Sequence, residues 1–182
     1  MNSNELIIKN VRLSYTHIWE PYAFKEGDDP KYMATLLIDK DDEEELNKIN
    51  AVIEKVKKDD KSKKKWGGKV PSKLMLPLRD GDEIADEKPE YAGKFYISAK
   101  SREDRAPRIV DRRANPIMDQ DEVYSGCYAN VKVAFFAFSN SGNNGISVAL
   151  NVIQKVKDGE RLSGGSGLDG IEDLGDDEDD LG

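Results

Sequence analysis

CYANVKVAFFAF, residues 127–138, and ISVALNVIQKV, residues 146–156, are two long runs of β-forming residues. The residues between them, 139–145, are all Ser, Asn or Gly, which is typical of a hairpin connection. In the first run, odd-numbered residues from Ala129 to Ala137 share one face and Tyr128, Asn130, Lys132, Phe136 and Phe138 share the other. One row must be buried, and alternation alone leaves open which one. The pair predicts a long antiparallel hairpin.

Shorter β-patterned runs precede this hairpin, at residues 5–15, 32–38, 74–78, 93–100 and near 108–111. Residues 19–24 predict an aromatic loop, because Pro21 interrupts any regular strand there. One amphipathic helix is predicted at 42–57, with Asp41 and Glu44 resembling a capping box. About seven strands with one helix inserted after the second favour a mainly β, elaborated barrel. A parallel α/β sheet would need several crossover helices.

The acidic end of the chain suggests a division at residue 160. Residues 1–160 suffice for one domain, and 161–182 contain a Gly/Ser spacer and an acidic tail that we expect to be disordered. The tail's eight carboxylates equal the whole formal net charge of −8, so the body is neutral. Such a polyanion competes with another polyanion for a basic face, contacts a partner, or only increases solubility. The acidic residues are Asp169, Glu172, Asp173, Asp176, Asp177, Glu178, Asp179 and Asp180.

The sequence lacks the residues that several classes of functional site require. One Cys and one His exclude a Cys/His zinc cluster, and Gly67-Gly68-Lys69 lacks the rest of a phosphate-binding loop. We therefore expect no catalytic site, cofactor or metal. The absence of a signal-peptide pattern and of an apolar run of about 18 residues predicts a cytoplasmic protein without a membrane span. A metal-dependent nuclease built from Asp80, Asp82 and Lys94 or Lys100 stays open as an alternative.

Three segments combine cations with aromatic rings. Residues 61–73 hold six lysines around Trp66, residues 94–100 alternate so that Lys94, Tyr96 and Lys100 share a solvated face, and residues 100–113 are rich in arginine. Cations bind phosphates and rings stack on bases, so these segments indicate nucleic-acid contact. The alternatives are a solvated lysine loop and surface ion pairs. The predicted nucleic-acid-binding residues are Lys65, Trp66, Lys69, Lys73, Lys94, Tyr96, Lys100, Arg102, Arg105, Arg108, Arg112 and Arg113, with Trp19 or Tyr22 as further stacking candidates.

The runs YAGKFYISAKS, PRIVDR and EVYSGCYANVKVAFFAFSNSGNNGISVALNVIQKVKDGE, followed by a Gly-rich spacer and an acidic end, resemble phage and prophage single-stranded DNA-binding proteins distantly similar to that of phage T7. The resemblance covers about residues 6–160 and the character of the tail. It implies an oligonucleotide/oligosaccharide-binding (OB) barrel that coats single strands in replication and recombination. It also implies a tail that contacts replication partners and, in some members, stabilises a homodimer.

Carried over by motif, the resemblance places the Tyr96/Lys100 strand and the arginine segment on the binding face. This tail ends in Leu181-Gly182, whereas many tails of this type end in an aromatic residue.

From the cationic and aromatic segments, the missing catalytic residues and the resemblance together, we expect a non-enzymatic protein that binds single-stranded DNA without sequence preference, in the host cytoplasm if it is phage-encoded. The main alternative is a protein-interaction module that does not contact DNA.

Overall fold

Seven strands, two α-helices and three short 3₁₀ helices make up the structure, a computed structural model that describes residues 1–162. The acidic residues of the predicted tail, 169–180, lie outside the described residues. Arg161 and Leu162, which were predicted to belong to the spacer, are described and contact the barrel, and the boundary of the tail stays a prediction. None of the helices in residues 1–162 is long and apolar enough to cross a membrane. The strands are β1 (Glu5–Tyr22), β2 (Lys31–Asp39), β3 (Arg79–Asp80), β4 (Lys94–Arg102), β5 (Arg108–Val110), β6 (Tyr128–Asn140) and β7 (Asn143–Lys157), and the helices are α1 (Glu43–Lys58) and α2 (Asp60–Lys65).

Five of these strands close into a barrel. Antiparallel pairing gives the order β4-β2-β1-β6-β7, and a parallel contact between Lys100 of β4 and Ala149 of β7 joins the two ends. The short strands β3 and β5 extend β4 and β7. This is the mainly β, OB-type barrel that the sequence predicted, with the edge strands β4 and β7 brought together at the seam.

The β6–β7 hairpin settles which row is core. Ala129, Val131, Val133, Phe135 and Ala137 are at most 4% exposed, whereas Phe136 on the other face is 41% exposed. Both strands extend further toward the turn than predicted, so that the connection consists of Ser141 and Gly142 alone instead of residues 139–145. Both have positive φ, +51° and +84°, as a two-residue turn matching the twist of antiparallel strands requires.

Helix α1 packs its apolar stripe on the barrel, as predicted. Ile49, Val52, Ile53 and Val56 are buried. The cap lies one residue later than expected, because the Asp42 side chain accepts a hydrogen bond from the Glu45 N–H.

Three local predictions are wrong. Residues 19–22 continue β1, because irregularities in the β1–β2 register around His17 let the strand bend past Pro21. Residues 74–78 form only a single bridge, from Met75 to Gly145, and the strand follows at β3. One helix was predicted, but a second, α2, forms at the start of the lysine-rich segment, where the Asp59 side chain caps it by accepting the Lys61 N–H.

Candidate nucleic-acid interface

A cleft of about 500 Å³ lies on the outer face of the barrel, across the seam between β4 and β7. The exposed ring of Phe136 lines it. Lys31 opens β2 opposite Arg102 of β4, so strand register brings these two cations to the same edge of the cleft. The basic lining residues are Lys31, Lys100, Arg102 and Arg105.

A second cleft, of about 270 Å³, shares Lys31 and Lys100 with the first and holds two exposed aromatic rings, Tyr22 and Phe24. The Tyr22 ring stacks on His17 with centroids 4.3 Å apart and planes 12° apart. Phe24 meets Tyr22 edge-on at 4.9 Å. The orientation of these rings is thus fixed by contacts with one another. Asp28 and Asp29 also line this cleft.

A third cleft, of about 310 Å³, extends the first on its other side. The two share Lys100, Ser147 and Val148, and the third adds Arg79 and the partly buried Phe138. Since all three clefts share Lys100, they adjoin one another around this side chain, and together they are here called the Lys100 groove.

The cations of the Lys100 groove differ in their partners. Arg102 binds both carboxylate oxygens of Asp104 at 3.0 Å, which lowers the pKa of Asp104. Within residues 1–162, no ion pair involves Lys31, Lys100 or Arg105. The groove therefore offers cations that form no ion pair within residues 1–162, beside exposed ring faces, and this combination can hold phosphates and stack bases.

The predicted Lys94–Tyr96–Lys100 surface is only partly in this groove. Lys100 lies at its centre. Lys94 forms an ion pair with Asp39, and the half-buried Tyr96 packs edge-on against Tyr91 with centroids 5.2 Å apart. Lys94 and Tyr96 do not line the groove, so nucleic-acid contact by them stays a prediction.

The expectation that Trp66 is exposed is wrong. Its side chain is 7% exposed, and the indole Nε1–H donates to the carbonyl oxygens of Phe138 and Gly145, at 3.1 and 3.3 Å. Burial in the core, with its polar atom used, explains this tryptophan structurally and leaves no free face for a base. Trp19 is also partly buried, and its Nε1–H donates to the Val123 carbonyl at 3.3 Å.

The remaining predicted cations lie outside the groove. The Arg112 guanidinium donates to the Val156 carbonyl at 2.8 Å, in a separate cleft beside Gln154. DNA contact by Arg112 and by the other members stays a prediction too. They are Lys65 at the end of α2, Lys69 and Lys73 in the exposed segment after it, Arg108 on β5, and Arg113 in the turn that follows β5.

Sequence reasoning missed Lys31, Phe24, Arg79 and Phe136 as groove residues. A signal for Phe136 was present. Once the odd row of β6 is taken as core, a large apolar residue stands on the solvated face, where it has no packing role.

The carboxylates of the nuclease alternative have another explanation. Lys40 Nζ lies 2.6 Å from an oxygen of Asp80 and 2.6 Å from an oxygen of Asp82. These hydrogen bonds lower the pKa of both acids. Asp80 and Asp82 thus converge on Lys40, not on Lys94 or Lys100. Within residues 1–162, no group of three or more His, Cys, Asp or Glu side chains is placed to hold a metal ion.

In sequence, the chain is similar to phage proteins. The sequence model of the family described as "Enterobacter phage Enc34, ssDNA-binding protein" matches residues 4–181. Putative protein p50 of Acyrthosiphon pisum secondary endosymbiont phage 1 is 34% identical over 179 residues, covering 93% of this chain and 91% of that protein.

Solved structures share the fold. The single-stranded DNA-binding protein of bacteriophage Enc34 in complex with ssDNA has a TM-score of 0.77 and 29% identity, covering 89% of this chain and 91% of that one. Its C-terminal truncation gives 0.74 and 30%, covering 88% and 90%. The single-stranded DNA-binding protein of bacteriophage T7 gives 0.60 at 14% identity, covering 94% and 96%, a likeness of fold alone. The chain belongs to the family of the Enterobacter phage Enc34 single-stranded DNA-binding protein.

Proposed function

We propose that this protein binds single-stranded DNA without sequence preference, has no catalytic activity, and uses the Lys100 groove. One observation carries the proposal: Lys31, Lys100 and Arg105, which form no ion pair within residues 1–162, converge with the exposed Phe136 ring on one cleft. The solved complex of the Enc34 relative with ssDNA supports it.

Binding of this kind needs no net positive charge on the body. A local row of cations attracts the phosphates, while ring faces accept any base, because every base has a π-face. Each neutralised phosphate of a single strand contributes about −0.7 to the slope of log K against log[salt]. We therefore expect affinity to fall steeply as salt is raised.

The decisive experiment is anisotropy titration of labelled oligo-dT at low salt with the wild type, Phe136→Ala and Phe136→Trp. Loss of one stacked base should cost about 1–3 kcal/mol, whereas Phe136→Trp should retain affinity because it keeps a ring. Absence of oligo-dT binding by the wild type would refute the proposed function. Equal affinity of all three proteins would show that the Phe136 ring does not stack on a base.

The acidic tail, in this proposal, competes with DNA for the groove. Its eight carboxylates are tethered to the barrel, and tethering gives them a high effective concentration near the basic cleft. Deleting residues 163–182 should raise the affinity for oligo-dT, most clearly at low salt. Equal affinities with and without the tail would contradict competition.

When DNA displaces the tail, its carboxylates become available to other proteins. We propose that it then recruits partners of phage DNA replication and recombination in the host cytoplasm, and that it supports a homodimer. Sedimentation of the full chain and of the form without residues 163–182 tests the dimer. Capture of phage replication proteins from infected cells by the full chain, but not by the truncated one, tests recruitment.

A further inference from the structure

A further basic cleft, separate from the three that make up the Lys100 groove, lies beside it between α2, the N-terminal residues and β6. Its volume is about 500 Å³, and we call it the α2 cleft. Phe136, whose side chain is exposed, lines both this cleft and the groove, so the two depressions adjoin at this residue. The other lining residues used below are Asp59, Lys61, Ser62 and Lys65.

The charge of the α2 cleft comes from Lys61 and Lys65. They stand four residues apart on α2, and such residues share one face of a helix. Both are exposed, and neither forms an ion pair within residues 1–162. Lys65 Nζ donates to the Ala137 carbonyl at 3.3 Å, which holds this ammonium against β6, and its remaining protons face the cleft or solvent.

Asp59, the acid of this cleft, has a structural role. Its Oδ1 accepts the backbone N–H of Lys61 at 3.2 Å and so caps α2. One carboxylate against two ammonium groups leaves the cleft with a net positive charge. A hydrogen-bonding surface of this sign next to an exposed ring suits a sugar–phosphate backbone.

We infer that a single strand leaves the Lys100 groove over the Phe136 ring and continues along the α2 cleft, where Lys61 and Lys65 bind its phosphates. This inference rests on the proposed function and extends its site. The strand then contacts the protein in two stretches, with Phe136 stacking on the base between them. Short oligonucleotides fill the groove alone, and longer ones engage both stretches.

The test measures affinity for an oligo-dT length series with Lys61→Gln/Lys65→Gln and a matched control, Lys58→Gln/Lys64→Gln. The control removes the same charge from exposed lysines of α1 and α2 that do not line the cleft. For long oligonucleotides, the cleft variant should lose about tenfold in affinity at low salt, and its salt slope should be shallower by about 1.4. For short oligonucleotides, it should match the wild type, and the control should match at all lengths.

Three outcomes would overturn the inference. Equal losses in the cleft variant and the control would reduce the effect to general electrostatics. A loss independent of oligonucleotide length would place the lysines in the groove's own function or in folding, and circular dichroism separates those two. An unchanged salt slope would show that no phosphates are bound there. A wild type that binds no oligonucleotide would refute the proposed function itself.

Discussion

The Lys100 groove and the surface around Tyr124 and Tyr128, here called the tyrosine surface, contain the same residue types, cations and aromatic rings. They differ in whether these side chains already contact partners within the protein. At the second surface, Arg161 lies 4.1 Å from the centroid of the Tyr124 ring and Lys157 lies 4.9 Å from that of Tyr128. The ring faces are therefore already covered by the protein's own cations. In the groove, Phe136 is exposed and Lys100 has no ion-pair partner within residues 1–162.

Hydrogen bonds strengthen the contrast. Arg12 donates to the carbonyl oxygens of Gly126 and Glu160, at 3.1 and 2.6 Å, and the Tyr124 hydroxyl contacts Asp158 and the Gly159 carbonyl. Cations and rings here hold residues 158–161 against the barrel. Composition alone does not separate a binding surface from a structural one, whereas the partners of each polar group do.

The largest effect should come from Gly126→Ala, at the tyrosine surface. Gly126 has φ +116°, and an added Cβ would overlap the Glu160 carbonyl oxygen. Strain and overlap together should lower the free energy of unfolding by about 3 kcal/mol, measured by urea denaturation. DNA affinity of the folded fraction should not change. A matched Gly142→Ala, strained by φ +84° but without overlap, should cost less.

The second effect concerns binding. Lys100→Gln/Arg105→Gln removes two groove cations that have no ion-pair partner in the described part of the chain, and it should cost about 2 kcal/mol of oligo-dT affinity at low salt. The matched variant, Arg161→Gln/Lys157→Gln, removes one arginine and one lysine that lie on the Tyr124 and Tyr128 rings, and it should bind DNA nearly as well as the wild type. If both variants lose affinity equally in titration, the distinction between the two surfaces fails.

The third prediction compares the buried Trp66, at the end of α2, with the exposed Phe136 of β6. Trp66→Phe keeps a ring but leaves the carbonyl oxygens of Phe138 and Gly145 without the indole N–H. It should lower unfolding free energy by about 1 kcal/mol and leave oligo-dT affinity unchanged. Phe136→Ala should show the opposite pattern in the same two assays. Reduced DNA affinity of a fully folded Trp66→Phe would restore the role predicted from sequence.

The smallest effect should be a pH dependence from His17, next to Tyr22 in the groove. Burial disfavours the imidazolium and lowers the His17 pKa from 6.5. Well above pH 6.5 the imidazole is neutral in both states. As pH falls through 6.5 the unfolded chain binds the proton first, so stability declines until the folded pKa is reached. His17→Gln should reduce the change of the urea denaturation midpoint with pH between pH 7 and 5.5. An unchanged slope would contradict this assignment.

Much of the fold was predictable because its signals are local. The alternation in β6 and β7 and the apolar spacing in α1 describe elements that bury one face, and both predictions are confirmed. The continuation of β1 past Pro21 was not predictable, since it depends on bulges in the pairing with β2. Lys100, Arg102 and Arg105 were identified from charge density, and the groove includes all three.

By itself, the sequence determined the barrel's strands, the helix, the family and the supply of cations and rings. Only the tertiary structure decided which of them are free. Trp66 is buried by residues 72 and 79 positions away, and Phe136 is exposed because the opposite row of β6 fills the core. Exposure depends on partners distant in sequence, whereas periodicity depends on near neighbours. For that reason Lys100 could be named from a pattern, but its groove with Lys31 and Phe136 required the closed barrel.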